Sequence, residues 1–171
     1  EGRGEHGELP PNNWESTFGG GAWTRVTEAD GTPGQWYLHL FDTSQPDLNW
    51  ENPEVHEEME SVLRFWLDRG VDGFRVDVAH GLVKKEGLPD WDDTATMAGD
   101  DTTRPTNAAP MWDQDGVHEI YRSWRRVVDE YSGPERILCA EAWVKPLERL
   151  ARYVREDEMH QAFNFDYLDA R

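Results

Sequence analysis

"GFRVDVAH", Gly73 to His80, opens on a glycine and then sets Arg75 and Asp77 two residues apart in an otherwise apolar run. Residues at i and i+2 of a strand share a face, so these two side chains are neighbours. An arginine beside a carboxylate favours the ionised form, which suits a nucleophile. Upstream, Asn52 caps and Pro53 opens a helix in which Val55, Met59, Val62, Leu63, Trp66 and Leu67 recur at helical spacing up to Gly70. Downstream, Val117, Ile120, Tyr121, Trp124, Val127, Val128 and Tyr131 mark one face of a second helix, which Gly133 and Pro134 stop. "RILCAEAW" reads as a second strand, Pro146 opens a helix carrying Leu147, Leu150, Ala151 and Val154, and "HQAFNF" reads as a third strand.

This alternation of helix and strand predicts an α/β fold with a parallel sheet covered by helices, either doubly wound or part of a (β/α)8 barrel. Function sits at the strand C-termini in both, which is where Asp77 and Glu141 close the first and second strands. Residues 1–50 differ in character: rich in Gly, Pro, Asn and Trp, with the single alternating run "GQWYLHLF", they read as a loop-dominated unit. Residues 81–115 form a long connection with little periodicity, expected as a lid over the two carboxylates.

Glu141 is flanked by Ala140, Ala142 and Trp143, and a carboxyl group beside a large apolar ring suits a proton donor. One ionised and one protonated carboxyl, about 5 to 5.5 Å apart, is the division of labour in a retaining glycosidase. The same spacing also fits a structural ion pair between Arg75 and Asp77, with Glu141 capping a neighbouring helix. Other chemistries lack their signatures. There is no G-x-S-x-G elbow, no phosphate-binding G-x-x-x-x-G-K-[ST] and no G-x-G-x-x-G after a strand. "MWDQDG" resembles part of a calcium loop, but Met111 stands where the first aspartate belongs, so no metal site is expected. Of the six histidines, His80 stands apart because it follows Asp77 on the same rim, either as a contact to the substrate or to the residues that hold it, or as a solvent-facing loop residue.

With 17 Lys and Arg against 35 Asp and Glu, the net charge of −18 repels phosphate backbones and anionic membrane surfaces, so no nucleic-acid or membrane partner is expected. The lone Cys139 excludes a disulfide framework and reads as a small buried hydrophobe. No apolar run approaches the roughly 20 residues of a membrane span, and no signal peptide is visible, which favours the cytoplasm. Nine tryptophans serve cores, and flat rings also line sugar clefts.

Taken together, "GFRVDVAH", "AEAW" and "QPDLNWENPEV" resemble the α-amylase superfamily, glycoside hydrolase family 13, in its oligo-1,6-glucosidase and α-glucosidase branch. The resemblance implies a partial (β/α)8 TIM barrel covering about the third to the sixth strand. Residues 51–171 would be the central part of that catalytic barrel. Residues 1–50, through "NNWESTFGGGAWT" and "WYLHLF", would be the domain B excursion that walls one side of the pocket. It implies that Asp77 is the nucleophile and Glu141 the acid/base, with Arg75 the arginine of the G-F-R-x-D strand end. Phe18, Phe41 and Gln45 match pocket positions of that branch. Valine at the place of Val78 is associated there with α-1,6 bonds, threonine with α-1,4; by strand alternation Val78 is also readable as a packing residue facing the helices.

The family's third carboxylate, in F-x-N-H-D, and its upstream D-x-x-x-N-H motif do not occur, and Asp166 in "FNFDYL" matches the sixth-strand region rather than that carboxylate. The chain therefore reads as a fragment, inactive by itself. The implied activity of the parent is that of a retaining α-glucosidase on short malto- or isomalto-oligosaccharides, with no cofactor. The alternatives are a glucosyl-transferring or isomerising relative that forms trehalose or isomaltulose, and a catalytically dead amylase-like binding domain.

Overall fold

The computed structural model describes residues 2–92 and 105–169. Helix α1 spans Pro53–Leu67 and is capped as its sequence dictates: the Asn52 side chain accepts the Glu54 N–H at 3.0 Å, and Pro53 occupies the first position. Strand β3 (Gly73–Val76) follows, then α2 (Val117–Asp129), β4 (Ile137–Ala140), the short helix α3 (Leu147–Leu150) running into a 3-10 turn, β5 (Gln161–Ala162) and α4 (Phe165–Asp169). Strands β3, β4 and β5 form one parallel sheet in that order, with Arg75 beside Cys139 and Val76 beside Ala140. The expected alternation and parallel pairing are thus both present. The strands are shorter than the apolar runs: the chain turns immediately after Val76 and becomes irregular after Ala140.

Gly73 is required by this pairing, since a Cβ there would lie 2.2 Å from the carbonyl oxygen of Ile137. The sheet packs on the apolar faces of α1 and α2. Leu63 and Leu67 from α1, Ile120, Tyr121, Trp124, Val127 and Val128 from α2, and Leu138 and Ala140 from β4 share one buried cluster. Outside the core, Arg64 of α1 reaches across to Glu130 just beyond α2 at 2.8 Å.

Residues before Trp50 are more ordered than their composition suggests. Strand β1 (Trp23–Thr27), which the sequence reading did not anticipate, pairs antiparallel with β2 (Pro33–Leu38), the expected strand. The threonines and the exposed Val26 of β1 give no apolar alternation to read, so only its partner announces it. This hairpin has its own core of Trp14, Ala22, Leu38 and Leu40, completed by Ala109, Met111 and Trp112 from the long connection. The expected lid is partly a buried plug: Met111, Trp112 and Asp113 are inaccessible, and its residues 93–104 lie outside the described residues. Among the described residues no helix is long and apolar enough to cross a membrane.

Leu138 is fully buried at the centre of the three-strand sheet. Leu138→Ala is expected to cost about 2 to 5 kcal/mol through lost transfer energy and the residual cavity. Urea unfolding of the chain measures it; a loss below about 1 kcal/mol would mean that the sheet is not the stability centre.

Candidate active site

The functional rim is built where β3 and β4 stop. After Val76 the chain turns through Asp77, Val78, Ala79 and His80, and four contacts hold that turn. The Ala79 N–H donates to the Glu141 carbonyl at 2.8 Å, and the Glu141 N–H donates to the Val76 carbonyl at 2.9 Å, extending the parallel ladder past the strand ends. The Tyr121 hydroxyl donates to the Ala79 carbonyl. The Val78 N–H donates to the Glu141 carboxylate at 2.8 Å.

The three charged groups expected here meet. Arg75 Nη2 lies 2.6 Å from Asp77 Oδ1 and 3.9 Å from Glu141 Oε2, so one nitrogen bridges both carboxylates and keeps them on the same end of adjacent strands. Their environments differ. The Asp77 side chain is 69% exposed and Arg75 52%, whereas Glu141 is only 12% exposed. An ion pair that open to water contributes little to stability, which weakens the purely structural reading of Arg75 and Asp77. Glu141 does not cap a helix. It also does not sit against an apolar ring face as expected: Trp143 meets it edge-on, the indole N–H donating to Oε1 at 2.8 Å. The indole instead lies over the ring of Phe165, 3.6 Å away and nearly parallel. The Arg75 guanidinium lies over the ring of Phe163, 5.6 Å from its centroid.

Beside this rim opens a cavity of about 690 Å3, lined by Phe41, Gln45, Arg75, Asp77, Val78 and Trp112 and, from α1 and β3, by Met59, Val62, Trp66 and Phe74. Phe18 stands outside the lining, exposed, with its ring edge-on to Phe41 at 5.5 Å. Val78 is not a strand residue facing the helices. Its φ is +47°, a left-handed conformation that β-branched residues rarely adopt, and it lies past the end of β3, so alternation no longer applies and its side chain faces the cavity. His80 is not solvent-facing. It is 3% exposed, its ring 5.0 Å from that of Trp112, and it does not line the cavity.

Sequence reasoning missed two contributors. Trp112 closes the wall between Phe41 and His80, and Gly81 has no Cβ because one would lie 2.8 Å from the Trp112 ring. Lys84 pairs with Asp47 at 2.7 Å beneath the cavity, and Asp47 also accepts the Leu40 N–H at 2.8 Å, which ties "QPDLN" to the rim. Burial pushes the Lys84 pKa down while Asp47 pulls it back up. Asp47 stood in a segment already singled out; its partner was invisible because the contact spans distant parts of the chain.

All 171 residues match the family model described as the α-amylase catalytic domain. The chain belongs to the α-amylase family. The stretch compared with an oligo-1,6-glucosidase of Parageobacillus thermoglucosidasius is 56% identical over 80 residues, 47% of this chain and 14% of that protein. An α-glucosidase of Candida albicans is 38% identical over 165 residues, 94% of this chain and 27% of that one. The fold superposes on a crystal structure of a trehalose-6-phosphate hydrolase of Bacillus licheniformis with a TM-score of 0.80 at 32% identity, covering 99% of this chain and 28% of that chain. The chain thus spans well under a third of the length of each of these α-amylase relatives.

Burial of the His80 imidazole, with the Lys84 cation nearby, pushes its pKa down to about 3 from the ordinary 6.5. Between those values the unfolded chain binds a proton that the folded one refuses. The resulting stability is whole above about pH 6.5 and is lost as pH falls toward 3. His80→Gln should therefore flatten the pH dependence of the urea midpoint in that window by up to about 1.4 kcal/mol per pH unit. Parallel curves for the two proteins would show that His80 titrates alike folded and unfolded.

Proposed function

We propose that this segment carries the nucleophile and the acid/base of a retaining α-glucosidase acting on short malto- or isomalto-oligosaccharides. The observation that supports it most is the Arg75 nitrogen shared by Asp77 and Glu141 at the ends of β3 and β4. The names of the α-glucosidase and oligo-1,6-glucosidase relatives point to the same chemistry. In this reading residues 51–171 are the third-to-sixth-strand part of a (β/α)8 barrel. Residues 1–50 are the domain B excursion, presenting Phe18, Phe41 and Gln45 to the sugar.

In the first half-reaction an oxygen of the open Asp77 carboxylate attacks the anomeric carbon as the glycosidic bond breaks, and Glu141 gives its proton to the departing oxygen. The product is a glucosyl ester on Asp77 and a released alcohol. In the second, the Glu141 carboxylate takes a proton from water, whose oxygen attacks the same carbon and frees Asp77. Arg75, 2.6 Å from Asp77 Oδ1, holds that side chain in place for attack. A dead binding domain is disfavoured because Arg75, Asp77 and Glu141 are all present and in mutual reach.

In the full-length protein, Asp77→Asn and Glu141→Gln should each lower kcat on disaccharides by orders of magnitude with little change in thermal midpoint, since both changes are nearly isosteric. The Glu141 variant should keep far more of its kcat/KM on an aryl α-glucoside, since kcat/KM reports the first half-reaction and that leaving group needs less protonation. Full activity in the Asp77 variant, or no covalent glucosyl adduct by mass spectrometry with a slow fluoroglucoside, would rule out the nucleophile assignment.

Val78 faces the cavity next to the scissile-bond carboxylates, and threonine is equally β-branched, so Val78→Thr leaves the strained backbone and the volume alone and adds one hydroxyl. One polar contact is worth about 1 kcal/mol, so the maltose-to-isomaltose ratio of kcat/KM should rise about fivefold. An unmoved ratio would reduce Val78 to packing.

A further inference from the structure

We infer that Trp143 is a positioning residue for Glu141: its indole N–H, braced by the Phe165 ring, fixes the carboxyl group in the orientation from which it delivers its proton. The inference rests on the reading of Glu141 as the acid/base.

Among the described residues, each oxygen of Glu141 accepts one N–H at hydrogen-bond distance, the Arg75 nitrogen lying further off at 3.9 Å. Trp143 Nε1 donates to Oε1 and the Val78 backbone to Oε2, both at 2.8 Å. A carboxyl group held at only one oxygen swings about its terminal torsion, which is broad and poorly restrained by itself. Held at both oxygens, its plane is set. The Val78 donor is fixed by the backbone turn. The Trp143 donor is a side chain two residues further on and needs support of its own, which the stack on Phe165 gives: ring centroids 3.6 Å apart at an interplanar angle of 11°. Phe165 opens α4, beyond the β5 strand that pairs with β4, so the proton donor on one strand is steadied from the end of the next. The proton transfer itself is unchanged: it passes from the Glu141 carboxyl to the glycosidic oxygen as the bond to the anomeric carbon breaks. Trp143 neither gives nor takes a proton.

The test separates the N–H from the ring. In the full-length protein, Trp143→Phe keeps an aromatic face for Phe165 and removes the donor. Lost alignment slows the step that needs protonation, so kcat on maltose or isomaltose, whichever is turned over better, should fall about tenfold with KM within about twofold of wild type. The kcat/KM for p-nitrophenyl α-glucoside, which reports the first step alone, should change by less than about twofold. Phe165→Leu leaves the donor and removes its brace, and should show the same selective loss to a smaller degree.

Unchanged disaccharide turnover in Trp143→Phe would overturn the inference, because the N–H would then be idle. So would an equal fall on both substrates, which marks a structural role, or a rise in KM with kcat kept, which marks Trp143 as a sugar contact. Glu141→Gln on the same two substrates keeps the underlying reading apart. If that variant spares the aryl glucoside while Trp143→Phe does nothing, the positioning role alone fails. If Glu141→Gln lowers kcat/KM equally on both substrates, the acid/base assignment fails with it.

Discussion

The rim depends on one hydrogen bond, from the backbone of Val78 to the carboxylate of Glu141. It crosses between two strand ends and couples the conformation of one turn to the orientation of a side chain on the next. The left-handed backbone at Val78 aims its N–H, and that conformation costs a β-branched residue of the order of 1 to 2 kcal/mol. The surrounding structure holds it there: Ala79 is pinned through its N–H by Glu141 and through its carbonyl by Tyr121, and the His80 carbonyl accepts from Asp113 at 2.6 Å. Strain at this place keeps Asp77 outside and Glu141 inside, on one rim.

Much of the scaffold was legible because its signals are local. The Asn52 cap with Pro53 fixes the start of α1, the periodic faces of α1 and α2 name the core, and β-branched runs mark β3 and β4. Asp77 and Glu141 could be placed on one end of the sheet because parallel strands put all their C-termini together. What failed to be legible depends on where a strand stops. The packing reading of Val78 fails because alternation ends at Val76, and only the backbone torsion shows it. The solvent-facing reading of His80 and the ring-face reading of Trp143 fail for a related reason. Burial of an imidazole and the choice between an indole's face and its edge are set by partners such as Trp112 and Phe165, which no window around the motif contains.

The two clusters divide the molecule's work. The larger, between the sheet and helices α1 and α2, carries the strands that end in charged groups. The smaller, around Trp14, Leu40 and Trp112, carries one wall of the cavity. They meet at the turn after β3, where Ala79 packs into the first and Val78 against the second. A side chain pointing either way from two consecutive residues thus registers the wall against the sheet, and the cavity's width follows from that register.

Lys84 and Asp47 fasten the same wall from below, and their burial makes the docking chemically visible. An ammonium group 11% exposed and paired reacts sluggishly with acylating reagents, whereas its sequence neighbour Lys85 is exposed and reacts freely. The two amines are adjacent in one peptide, so the ratio of their labelling is an internal clock. It reads how often the segment Gln45 to Asn49 lifts off, without any substrate and without any assay of turnover.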